Sequence, residues 1–264
     1  MARGVPLQST QSVAPALLLE EPAPWPDDPF PLLERGSVDG IELIPWGSNY
    51  TFAARLNGAD GSGCYAVYKP RRGEVPLRDF PNGTLYKREV AAYLLARCLG
   101  WDMVPPTVIR VDAPHGIGSL QLYVQPKVEP AAQFDRLRET HRCELQRMAL
   151  FDLLTNNADR KGGHCLLDVR GRMWGIDHGL TFHHVPKLRT VIWDFCGEEI
   201  PRVLIDELAD FRADQARVEQ LCHTLRPLLA EHEIEALLQR WDRLLSMPCY
   251  PQLDPYRNVP WPPF

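Results

Sequence analysis

Three polar side chains matter most in the stretch Asn156 to Gly179: Asp159, His164 and Asp177. Phosphoryl transfer needs a carboxylate that orients the nucleophile, a cation near the leaving charge, and groups that hold a divalent metal against phosphate oxygens. This stretch offers all of them. Asp159 suits the carboxylate, Lys161 the nearby cation, and His164 with Asp177 the pair facing a metal. His164 stands five residues after Asp159, and Asp177-His178-Gly179 forms an Asp-x-Gly triplet after what reads as a short hairpin. The competing reading is a polar loop followed by an ordinary hairpin, with Asp177 and Gly179 as turn residues only. Upstream partners in the right order decide against it.

Those partners need elements to position them. From Val38 the pattern changes to short apolar runs broken by Gly and Asn, IELIPW, NYTFAARL and CYAVYKP, which predict three antiparallel strands. The first turn carries Gly47-Ser48-Asn49, small residues whose backbone amides can approach a phosphate closely, although a simple hairpin turn has the same composition. Lys69 ends an otherwise apolar strand and faces either solvent or a ligand. Thr84 is placed to cap a helix through LYKREVAAYLLARCL that stops at Gly100. Its core face is Ala91, Leu94, Leu95 and Cys98, with Glu89 on the neighbouring stripe beside Tyr86 and Tyr93. Two further strands, TVIRV and SLQLYVQP, complete a five-strand sheet. The chain then leaves through Val124 and Gln125 into helices over 132–157, with Leu145, Met148, Ala149 and Leu153 on one face. After the central loop come the strands CLLD and RMWGID. Residues 180–200 lack a period, as functional or mobile segments do, and His183, His184, Lys187 and Arg189 make them locally basic. Pro201 suits a helix start. The run EHEIEALLQRWDRLLSM sets Ile234, Leu237, Leu238, Trp241 and Leu245 on one core stripe. From Pro248 a Pro- and aromatic-rich tail reads as extended and packed across the surface.

A net charge of −5 and a pI near 5.9 give no basic field for nucleic acid or an anionic membrane. The seven cysteines are scattered, without a C-x-x-C pair, which predicts a reducing cytoplasm. The early apolar run APALLL is too short for a signal core, and no apolar run is long enough for a transmembrane segment.

With these residues in place, the chain resembles the phosphatidylinositol 3-/4-kinase-like catalytic family in a compact bacterial form, from about Ile41 to Met247. Four blocks carry the resemblance in order: VYKPRRGE around Lys69, YKREVAAYLLA around Glu89, NNADRKGGHCLL around Asp159 and GIDHGLTF around Asp177. It implies an α+β, two-lobed protein-kinase-like fold, with a small antiparallel β lobe and a mainly helical lobe. The implied organisation is a flexible tail over 1–30, a nucleotide-binding lobe over 31–125, a helical catalytic lobe over 126–247 and a C-terminal tail over 248–264. Lys69 would hold ATP phosphates under the Gly47-Ser48-Asn49 turn, and Glu89 would orient Lys69. Val124 and Gln125 would form the hinge that binds adenine. Asp159 would be the catalytic carboxylate, with Lys161 near the transferring phosphate and Arg160 structural, pairing a loop carboxylate. Asp177 would be the main Mg²⁺ ligand. His164 departs from the family's metal-binding Asn, and imidazole suits softer metals than Mg²⁺, so Mn²⁺ use is open. The implied function is an ATP-dependent kinase acting on a hydroxyl of a lipid, protein or small molecule. Two alternatives stand beside it: a nucleotide-binding pseudokinase, and an AMP transferase on the same fold. A metal hydrolase built from His164, His178, His183 and His184 is a poor rival, because these histidines lack a metal-site spacing.

Overall fold

The computed structural model describes residues 25–45, 47–127 and 130–263, with backbone alone at 130–132. Of the tail expected over 1–30, residues 1–24 lie outside the described residues, and the run APALLL with them, while residue 30 already opens a helix. The strands β1 (Ser37–Ile44), β2 (Thr51–Asn57) and β3 (Gly63–Pro70) run as antiparallel neighbours; β4 (Thr107–Arg110) and β5 (Gly118–Leu122) complete a sheet in the order β1-β2-β3-β5-β4. Ala54 pairs with Ala66, Ala66 with Leu122 and Tyr68 with Leu120. These side chains share one face, buried against Leu32 and Leu33 of a short helix, α1 (Phe30–Arg35). Strand alternation therefore turns Val67 and Lys69 to the opposite face.

That second face meets helix α2 (Leu85–Cys98). The single core stripe expected on α2 is corrected: Arg88, Glu89, Val90 and Tyr93 are also buried, while Leu94 and Cys98 are only half-buried. A helix enclosed between a sheet and other helices is covered nearly all round, and a single stripe no longer describes it. The Thr84 cap is also corrected. Thr84 sits at the N-cap position, but its hydroxyl donates back to Pro81 O at 2.6 Å, and the Glu74 carboxylate accepts the Tyr86 N–H at 2.9 Å instead. At the other end Gly100 takes a left-handed φ of +72°, and Trp101 N–H reaches Ala96 O at 2.8 Å. That closure stops the helix where the sequence places its glycine.

The helical part comprises α3 (Pro130–Thr140), α4 (Arg142–Thr155), α5 (Arg202–Ala213), α6 (Gln215–Leu225) and α7 (Glu231–Ser246). A small antiparallel hairpin, β6 (Cys165–Leu167) with β7 (Met173–Gly175), follows the central loop. Ile234, Leu237 and Trp241 of α7 enter one large core with Leu145, Met148 and Leu150 of α4. Residues 180–200 form no long regular element, yet Thr181, Phe182, Ile192 and Phe195 are buried. The α+β architecture read from the sequence is the one observed.

Two terminal segments cross the surface. Trp25 donates its indole N–H to Tyr123 O at 2.8 Å and lies 5.0 Å from the Trp174 ring. At the other end Tyr250 is buried, Asn258 O accepts the Thr190 N–H at 2.8 Å, and Pro263 O accepts the Gly162 N–H at 3.1 Å.

Candidate active site

Lys69 leaves β3 on the face turned toward α2, and its ammonium donates to Glu89 Oε1 and, at 2.8 Å, to Asp177 Oδ1. The second Glu89 oxygen accepts the His178 N–H at 2.9 Å. Glu89 thus ties the strand lysine and the turn after β7 together. Asp177 takes a left-handed φ of +58°, an uncommon conformation for a non-glycine residue and one often found at functional sites.

One cation between two carboxylates cannot neutralise both equally. Burial works against the Lys69 charge, but Asp177 and Glu89 outweigh it and hold the ammonium above its ordinary range. Burial also opposes the Asp177 charge, yet Lys69 and then His164 pull this carboxyl well below the usual carboxylate range. Glu89 stays raised, by burial first, because Asp177 repels it while Lys69 attracts it.

His164 Nε2 lies 3.3 Å from Asp177 Oδ2. Its Nδ1 accepts the Lys161 N–H at 3.4 Å, which leaves the ring proton on Nε2, directed at Asp177. Burial lowers the imidazole to about 4, so the ring is neutral at neutral pH. Asp159 is fixed through its backbone, whose N–H donates to Asn157 Oδ1 at 2.9 Å, and its carboxylate lies 3.6 Å from Lys161 Nζ. Burial pushes Asp159 up to about 6, with Lys161 pulling the other way.

Arg160 is completely buried and organises this loop. It grips Asp152 at 2.9 Å and donates to His164 O, Ile176 O and His178 Nε2. Its carboxylate partner is a residue of α4 and not of a loop, which corrects the expected pairing. Asn156, left-handed at the end of α4, donates to His183 O and Val185 O, both at 2.7 Å. The local basicity expected at 183–189 is reduced, because Lys187 pairs with Asp79 at 2.7 Å and His183 Nε2 donates to Asp79 O.

The remaining candidates lie around this centre. Gly47 has φ +110°, and Asn49 Oδ1 is committed to the Val75 N–H at 2.7 Å. Val124 is buried with Leu166 and Trp174 while Gln125 is exposed. Among the described residues no group of three His, Cys, Asp or Glu side chains converges to hold a metal ion. Sequence reasoning did not single out Asp152, Leu166, Trp174, Glu233 or the Arg88 guanidinium as parts of the site. Arg88 donates to Glu233 at 2.6 Å across 145 residues, a separation that leaves no local signal.

A sheet and a helical part with this polar centre between them form a protein-kinase-like fold. The chain is similar in structure to the Golgi casein kinase, at 16% identity and a TM-score of 0.51 over 81% of this chain and 72% of the other. It is similar to hydra Fam20 determined with sugar, at 17% identity and a TM-score of 0.54 over 82% and 86% of the two chains. It also matches the Helicobacter pylori proinflammatory kinase CtkA, at 11% identity and a TM-score of 0.51 over 83% and 94%. These are likenesses of fold. No family model matches the sequence. Protein Rv2133c of Mycobacterium tuberculosis (strain ATCC 25618 / H37Rv) is 39% identical over 271 residues, 90% of this chain and 96% of the relative. The chain belongs to the family of Protein Rv2133c.

Proposed function

We propose that this protein transfers the γ-phosphate of ATP to a hydroxyl acceptor on a lipid, a protein or a small molecule. The observation that carries this reading is the meeting of Lys69, Glu89 and Asp177, from a strand, a helix and a turn, at one point. Lys69 binds the ATP phosphates and Glu89 orients it. Backbone amides of Gly47, Ser48 and Asn49 cover the phosphates, and Val124 and Gln125 contact adenine. In this scheme 31–125 is the nucleotide-binding lobe and 126–247 the helical catalytic lobe. The resemblance of the four sequence blocks to phosphatidylinositol 3-/4-kinases supports the same assignment. All seven cysteines are free thiols, which supports a reducing, cytoplasmic setting.

Asp177 and His164 would hold Mg²⁺ or Mn²⁺. The Asp177 carboxylate fits Mg²⁺, which is commonly held by one or two carboxylates plus phosphate oxygens and water, whereas His164 would join it only after giving up the Nε2 proton now directed at Asp177. When bound, the metal supplies positive charge against the phosphate oxygens. Asp159 accepts the proton of the acceptor hydroxyl, and Lys161 sets its charge and stands near the transferring group.

A second reading is a nucleotide-binding pseudokinase, favoured by the His164 ring, whose Nε2 proton points at the metal carboxylate. A third is transfer of AMP by the same fold. Incubating the protein with ATP and either metal, then separating the nucleotides and weighing the intact chain, distinguishes them. ADP with a phosphate gained by the acceptor or the chain supports the kinase, an AMP adduct replaces it with nucleotidyl transfer, and unchanged ATP leaves the pseudokinase.

A further inference from the structure

We propose that Arg88 and Glu233 are a positioning pair that keeps Lys69, Glu89 and Asp177 assembled. Arg88 is the chain neighbour of Glu89 but faces elsewhere. Successive helical residues point about 100° apart, so Glu89 meets Lys69 while Arg88 turns to the helical part. Arg88 is 1% exposed and spends two donors there, one on Glu233 Oε1 at 2.6 Å and one on Thr181 O at 2.7 Å. Its guanidinium also lies over the Phe80 ring. Glu233 is itself fixed, because its other oxygen accepts the Ala230 N–H at the start of α7. Lys87 adds a third crossing, to Pro227 O at 3.1 Å. Helix α2 is therefore fastened to α7 and to the segment just after Gly179. In protein kinases the position of the equivalent helix and of the activation segment is what regulation controls; here a buried ion pair holds both.

The proposal rests on the phosphotransferase reading for its consequence in turnover, but its geometry is tested apart from it. The probe is amide hydrogen exchange of His178, whose N–H is held by Glu89, in the nucleotide-free chain. Removing one partner strands a buried charge, whereas replacing both by apolar residues is often tolerated, so the main variant is Arg88→Met with Glu233→Met. Glu233→Gln, which keeps shape and loses charge, serves if the double variant does not fold. Exchange at His178 is expected to rise at least about tenfold while Leu237 inside α7 keeps its protection. In turnover, kcat is expected to fall by a similar factor with a smaller change in KM, and Arg88→Lys to recover part of it. Unchanged protection at His178 overturns the proposal. Faster exchange at His178 in a protein whose parent chain neither binds nor turns over ATP upholds the positioning pair and removes the phosphotransferase reading.

Discussion

A carboxyl group raised to about 6 by burial, as at Asp159, must lose its proton before it can accept one. Turnover is therefore expected to fall as pH drops through about 6. Lys161 pulls that value down, so Lys161→Met is expected to move the acidic limb to higher pH; a pH–rate profile with an unmoved limb refutes Asp159 as the base. The same shift has a stability consequence. A folded value above the ordinary 3.8 means that the stabilisation is present below about pH 4 and lost as pH rises through 6. Asp159→Asn is therefore expected to raise the melting temperature at neutral pH while abolishing turnover. At His164 the expected result of His164→Asn is preserved or increased magnesium-supported activity, because an amide offers an oxygen to the metal and still donates to Asp177. Loss of activity with both metals would assign the imidazole a role that an amide cannot fill.

At the scale of elements, β3 and β5 decide where Lys69 stands. Gly118 pairs with Pro70, and a Cβ there would press on Lys69 O and come within 2.7 Å of Pro70 Cα. Gly118→Ala is expected to cost about 1–3 kcal/mol through overpacking and to weaken nucleotide binding by displacing the strand. Gly100→Ala meets no neighbour within 4 Å and has only its left-handed φ to oppose it. It is expected to cost about 1 kcal/mol and to leave nucleotide binding intact. Equal loss of binding in both variants, measured by titration, would remove the strand from the account. The strands and the end of α2 were legible because alternation and Gly100 are local signals. The burial all round α2 was not, since enclosure between two layers depends on residues far away in sequence. Thr84 misled for a related reason, as Glu74 arrives from the preceding loop to take the amide that a local reading gives to the hydroxyl.

For the whole molecule, the meeting of Lys69 with Asp177 spans 108 residues and the Arg88 to Glu233 bond spans 145. The first could be anticipated from the order of the four blocks, whereas the second has no motif to announce it. Trp25, seated on Trp174 and Tyr123, was equally invisible, because composition alone describes the N-terminal segment as a loose tail, whereas the Pro- and aromatic-rich C-terminal tail was expected across the surface, where Pro263 bonds to Gly162. The described helices include none long and apolar enough to cross a membrane. In the proposed function Lys69, Glu89 and Asp177 form a nucleotide cleft that uses a metal. Its most direct test is a thermal-shift titration of the intact chain with ATP and Mg²⁺ or Mn²⁺, run beside Asp177→Ala. Binding to the folded state alone raises stability by about 2.7 kcal/mol at 100 times the dissociation constant. A metal-dependent shift is expected in the parent chain, one that Asp177→Ala loses while remaining folded. An equal shift in both proteins, or none with any nucleotide and metal, would contradict it.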